Sequence, residues 1–179
     1  MKKKKSFPLG KVYTLLEPGP VVLITTSHKG VHNIMTQSWH TMMEFVPPLV
    51  GCLISGNNHS FAALKATREC VINIPTVALA KQVVTIGNCS GRKVGKFART
   101  GLTPVEASLV QAPLIAECYA SLECIVVDTR LVNSYNFFIL EVIKAWVDPA
   151  IKNLPTLHHR GKGEFMVAGE TIKLPSRMK

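Results

Sequence analysis

The order of apolar and polar positions predicts short strands interrupted by shorter helices. From Val21 to Thr26 most residues are β-branched, Ser27 to Gly30 supply a turn, and Val31 to Trp39 continues as a second extended run, which predicts a hairpin. Pro47 and Pro48 then punctuate the chain, and Leu49 to Ser55 is an apolar run of strand length. The period changes next. Phe61, Leu64 and Lys65 fall at helical spacing within Ser60 to Thr67, with Ser60 placed to cap the orphan amides of the first turn. Cys70 to Ile74 returns to a strand that Pro75 stops, and Thr76 opens a second helix ending at Gly87.

After a polar loop from Asn88 to Arg92, the stretch Lys93 to Thr100 is predicted as a short helix closed by Gly101. Two long strand-like segments follow, Ala116 to Leu131 and Asn136 to Val147. Five or six such strands with a few short helices fit a mainly β fold, an antiparallel barrel with helical decoration. A parallel sheet would need a crossover helix between almost every pair of strands. No Pro, Gly or Ser stretch is long enough for an interdomain linker, so residues 1–8 read as a flexible basic arm and residues 9–179 as a single domain.

Composition narrows the class. With 179 residues, 47% of them apolar, and a mean hydropathy of +0.21, the chain can bury a full core, and disorder of its bulk is excluded. The net charge of +10 points first to a polyanion. Its distribution weakens that reading. Lys2 to Lys5 and Lys11 put +5 into the first eleven residues, and Arg92, Lys93, Lys96 and Arg99 add +4 where no acid occurs between residues 88 and 105. The remainder is nearly neutral. No window approaches the roughly 18 apolar residues of a membrane span, and no signal-peptide core follows Lys5, so a soluble cytoplasmic chain is expected. Cys52, Cys70, Cys89, Cys118 and Cys124 are odd in number and widely spaced, which reads as mostly buried reduced thiols. His28 with His32, and His158 with His159, lack the Cys or carboxylate company of a zinc site, so no metal is expected.

Three segments carry candidate chemistry. Ile54-Ser-Gly-Asn-Asn-His-Ser60 leads from a strand into a helix, where free N–H groups, Ser55 and Ser60 could hold a phosphate or could simply form a cap. In Asn33-Ile-Met-Thr-Gln-Ser-Trp39 an extended strand puts Asn33, Met35, Gln37 and Trp39 on one face and Ile34, Thr36 and Ser38 on the other. Such a polar strand could hydrogen-bond the edge of a planar heterocycle with Trp39 as an apolar wall, or be an ordinary half-exposed strand. The third is Gly87-Asn-Cys-Ser-Gly-Arg-Lys-Val-Gly-Lys-Phe97. Lys93 and Arg99 read as solvated, whereas Lys96 beside Phe97 could stabilise negative charge on a reducible ring. No GxSxG, Walker or GxGxxG sequence is present.

In ordered series these segments resemble the flavin reductase-like family of FMN-binding split barrels, and within it the flavoredoxins. The likeness runs from Pro18 to Glu170. It includes Pro18-Gly-Pro20, Asn58-His-Ser-Phe61, Thr67-Arg-Glu-Cys-Val-Ile-Asn73, Gly101-Leu-Thr-Pro104, Ala112-Pro-Leu-Ile-Ala-Glu-Cys118 and Leu122-Glu-Cys124, besides the strand and loop just described. The resemblance implies an antiparallel Greek-key barrel that forms a homodimer with one FMN per protomer near the subunit boundary. It implies that Asn33, Thr36, Ser38 and Trp39 meet the isoalloxazine and ribityl chain, that Ser55, Asn57, His59 and Ser60 surround the ribityl-phosphate end, and that Gln37 and Arg92 also bind the cofactor. Lys96 would reach the ring with Phe165 packed beside it, and Lys96 and Tyr135 would be the catalytic pair. The chain departs from its relatives at Gly95, where they often have an acid, and at Ser134-Tyr135, where they often have Asp-His.

The implied function is an FMN-binding oxidoreductase that passes electrons from NAD(P)H or a redox protein to an acceptor. The alternative from another class is a flavin-binding or basic nucleic-acid-binding barrel without turnover. Against nucleic acid stand the 7% aromatic content and the lack of aromatics interleaved with the basic loop beyond Phe97.

Overall fold

A computed structural model describes residues 19–151 and 155–175. The expected basic arm, Lys11 and Pro18 lie outside the described residues. The first hairpin forms as predicted from β1 (Val22–His28) and β2 (Val31–Gln37), in register from Val22 opposite Gln37 to His28 opposite Val31. Lys29 and Gly30, both at positive φ, make its turn. β3 (His40–Phe45) and β4 (Pro48–Leu53) form a second hairpin. Then come α1 (His59–Thr67), β5 (Glu69–Ile74), a 3-10 turn at Val77–Leu79, α2 (Ala80–Gly87) and α3 (Lys96–Thr100). Two short strands, β6 (Pro104–Val105) and β7 (Leu114–Ile115), precede β8 (Ala120–Asp128), α4 (Val132–Tyr135) and β9 (Phe137–Val147). The hairpin of β10 (Leu157–Gly161) and β11 (Glu164–Val167) completes the described chain.

Seven strands pair antiparallel in the order β2-β1-β5-β8-β9-β4-β3. Both edge strands, β2 and β3, are consecutive in sequence, so the sheet must curl until its edges meet where Ser38 and Trp39 cross. The crossing is fastened by hydrogen bonds. The Leu53 N–H donates to Trp39 O at 3.0 Å, and the Gln37 side-chain amide donates to Trp39 O at 2.8 Å and Leu53 O at 2.9 Å. The result is a barrel closed at one end and split along the other side of β2.

β1 is buried on both faces, which explains its unbroken β-branched run. Val22 and Ile24 point into the barrel with Met35, Cys52, Cys70, Cys124, Phe138 and Leu140. Leu23 and Ile34 point outward against Leu79 of the 3-10 turn and Val83 and Ile86 of α2. That outer packing seats α2 along β2.

Several boundaries differ from expectation. Strand β2 ends at Gln37 rather than Trp39, because Trp39 belongs to the crossing and is 53% exposed. Asn58, not Ser60, is the cap residue of α1, and no side chain caps it. The second helix is broken into the 3-10 turn and α2. Lys93 and Val94 donate backbone N–H groups to Ser90 O, a turn that delays α3 until Lys96, and Gly101 closes α3 at φ 68° as expected. Four cysteines are buried in apolar surroundings, which push the thiols of Cys52 and Cys118 up to about 12, while Cys89 is partly exposed. Among the described residues no helix is long and apolar enough to cross a membrane.

Candidate functional site

A groove runs along the free edge of β2. Because β2 is terminal in the sheet, part of its backbone donor and acceptor row lacks a strand partner. The groove has two chambers. The first, about 350 Å³, is lined by Asn33, Met35 and Thr36 of β2, Asn57 to Ser60 at the start of α1, Ile86 to Gly91 at the end of α2, and Lys96. The second, about 330 Å³, is lined by Thr36, Gln37, Ser38, Val83, Val84, His159 and Phe165 among others. Thr36, Gly87 and Asn88 belong to both, so the chambers are continuous.

The first chamber suits an anion. The α1 N-terminus has no side-chain cap and no acid in its first turn, so its amides keep their partial positive charge. Ser60 Oγ accepts the Asn33 amide hydrogen at 2.8 Å, which leaves the hydroxyl proton for another acceptor. Lys96 is 6% exposed and donates from Nζ to Ile86 O at 2.9 Å, at the carbonyl end of α2. Burial lowers its pKa, with the nearby Cys89 acting in the opposite sense. Among the described residues no carboxylate lines this chamber, so a bound anion would be the natural counter-charge of Lys96.

The chamber wall is backbone where Gly91 passes. A Cβ there would collide with Asn33 Oδ1 and lie 2.7 Å from His59 Cδ2, so only glycine lets this turn approach β2 and α1 together. Thr36 gives its hydroxyl proton to Val83 O at 2.7 Å, which ties β2 to α2. In the second chamber the rings of His159 and Phe165 meet at a tilt of 39° with centroids 4.9 Å apart and form an aromatic flap that lines it together with Gln37 and Ser38. Among the described residues His159 is the one ionisable side chain lining it.

Asn33, Thr36, Asn57, His59, Ser60 and Lys96 thus meet in the first chamber, and Thr36, Gln37, Ser38 and Phe165 in the second. Lys96 sits with the α1 start rather than beside Phe165. Trp39, Ser55, Arg92 and Tyr135 line neither chamber. Ser55 instead accepts the Asn57 N–H at 3.3 Å and shapes the turn before α1, and Tyr135, 66% exposed, ends α4. Sequence reasoning missed His159, because His158 and His159 were weighed only as metal ligands; their nearness to Gly163-Glu-Phe165 was the available signal.

An antiparallel barrel split along one edge, with a ligand groove at that edge, is a known protein class, and the chain falls within it. Residues 15–165 match the family described as the flavin reductase like domain, and the chain belongs to that family. An uncharacterised protein of Escherichia coli is 30% identical over 172 residues, covering 88% of this chain and 91% of that one. An uncharacterised protein of Archaeoglobus fulgidus is 34% identical over 121 residues, 68% of each chain. Among solved structures, an FMN-binding domain of a flavin reductases-like enzyme from Shewanella baltica superimposes with a TM-score of 0.83 at 26% identity, covering 96% of this chain and 97% of that one. The flavoredoxin of Desulfovibrio vulgaris (Miyazaki F) gives 0.84 at 23% identity, with 97% of each chain covered, and supports the fold alone.

Proposed function

We propose that the groove holds FMN and that the protein is a flavoredoxin- or flavin reductase-type oxidoreductase, moving electrons from NAD(P)H or a redox protein to an acceptor. The observation that carries this is the two-chambered groove. An uncapped helix start with Lys96 at one end and an aromatic flap at the other complement a ligand with an anionic tail and a planar ring. The FMN-binding neighbour from Shewanella baltica supports the same choice of ligand. When bound, FMN supplies a ring that takes up two electrons and releases them singly or in pairs.

The chain's own residues do the rest. Asn57, His59, Ser60 and the α1 amides bind the phosphate end. Asn33 orients Ser60, and Gly91 brings backbone against both Asn33 and His59. Lys96 holds a proton and a positive charge in a buried place, which favours negative charge on the ligand. Gln37, Ser38 and Phe165 position the ring end, with His159 packed against Phe165. The exposed apolar residues Met42, Met43 and Phe45 of β3, with Val46 just after it, support a homodimer.

Anaerobic mixing of the FMN-loaded protein with NADH or NADPH, followed by the loss of flavin absorbance, tests the reaction. Bleaching supports a reductase. No bleaching with either nucleotide, together with no reduction by a reduced redox protein, would contradict electron transfer and leave a flavin-binding module.

A further inference from the structure

A separate cavity of about 770 Å³ lies between the end of the first hairpin and the segment from Pro104 to Pro113, and it shares no lining residue with either chamber of the groove. The sheet builds one wall. His32 stands opposite Ser27 in the β1–β2 register, and Ser27 and Glu69 lie two residues beyond the Thr25–Val71 pair of β1 and β5. Antiparallel neighbours in register share a face of the sheet, so imidazole, hydroxyl and carboxylate form a row across three strands. All three line the cavity.

The opposite wall is held in place by carboxylates. Glu123 accepts the Ser108 and Leu109 N–H groups, and Glu69 Oε1 accepts the Gln111 N–H at 3.0 Å, which leaves Glu69 Oε2 for another donor. Ser27 is 3% exposed, yet its hydroxyl has no hydrogen-bond partner among the described residues. A hydroxyl buried in this way is satisfied only by something that enters the cavity. Glu106 adds a second carboxylate, and among the described residues no Lys or Arg lines the space. Val105, Leu109 and Val110 supply apolar surface beside these groups.

We propose that this cavity is a second ligand site, for an aliphatic di- or polyamine, with an ammonium group at Ser27 and Glu69 and its methylene chain against Val105, Leu109 and Val110. Two carboxylates without a basic neighbour favour a cation locally, although the chain as a whole carries +10 and repels one. Binding of a polycation therefore reports the local site. An ammonium group brings three N–H donors, which match Ser27 Oγ and Glu69 Oε2. A metal ion fits less well, because the described residues contain no group of three or more His, Cys, Asp or Glu able to hold one. The apolar surface suits a methylene chain, which a hydrated inorganic ion lacks. This site is independent of what the groove holds.

Calorimetric titration of the full chain with spermidine at low salt tests the site, with magnesium ion and uncharged octanediol as the comparison probes. Wild type should bind one spermidine per chain, at least about tenfold more tightly than either comparison probe. Glu69→Gln keeps an oxygen for the Gln111 N–H but loses the charge, and should weaken spermidine at least about tenfold. Ser27→Ala should weaken it about three- to tenfold. Since Ser27→Ala removes no side-chain hydrogen bond from the described structure, it keeps the site testable if Glu69→Gln does not fold. Absence of saturable spermidine binding below roughly 10 mM would overturn the proposal. So would wild-type affinity in Ser27→Ala, or magnesium ion or octanediol binding as tightly as spermidine.

Discussion

On the FMN reading proposed above, Lys96 is the side chain whose charge bears most on the bound ligand. It is buried, its Nζ bonds a backbone carbonyl rather than a carboxylate, and burial already lowers its pKa. Without a bound anion, its charge is held against that cost. Lys96→Met should therefore lower the reduction potential of bound FMN, since the reduced, more negative ligand loses more than the oxidised one. If the ratio of the two affinities changes tenfold, the shift is about 30 mV for two electrons. Spectroelectrochemical titration of both proteins measures it, and an unchanged potential removes Lys96 from the mechanism. Its candidacy was readable from residue type and a neighbouring Phe97. Its place with the α1 start was not, because that depends on where α2 ends and how the Ser90 turn redirects the chain.

At the scale of elements, the segment after β6 is held by one buried carboxylate. Glu123 of β8 is fully buried; its oxygens accept the N–H of Ser108 at 3.0 Å, of Leu109 at 2.6 Å and the Trp146 indole at 2.8 Å. Burial alone would raise its pKa, but the indole and backbone donors outweigh burial and hold it below the usual carboxylate value. A pKa depressed on folding contributes stability above the unfolded pKa, and that contribution is lost as pH falls through the folded one. Glu123→Gln turns an amide NH2 toward donors and should cost about 1–3 kcal/mol at neutral pH. The deficit should shrink in acid, where wild type loses its own advantage; a pH-independent deficit in urea unfolding would contradict the assignment. Elements with a strong pattern were legible: β1 by its β-branched run, α1 by its spacing, β5 by its apolar core. β3 was not, because five of its six residues are exposed and carry no alternation. Nor was the β10–β11 hairpin, a polar flap that buries little besides Leu157 and Gly161.

On the scale of the whole molecule, the charge balance and the groove belong together. Barrel closure puts β2 at an edge, the apolar outer face of β1 and β2 seats α2, and α2 delivers the basic loop to the opening. Each step follows from residues whose pattern was visible, but the convergence of distant segments around Gly91 was not, since spacing along a chain does not encode which loop crosses which edge. Resemblance supplied that juxtaposition, and the side-chain geometry refined it by leaving Trp39, Arg92 and Tyr135 outside the groove. The central claim is a groove built for both ends of FMN, an anionic tail at the α1 start and a ring under Phe165. Calorimetric titration with FMN and with riboflavin tests it most directly. One FMN should bind per chain, with riboflavin at least about tenfold weaker because the α1 amides, Ser60 and Lys96 lose their anion, a difference of about 1.4 kcal/mol. Equal affinities, or no binding of FMN, would contradict it.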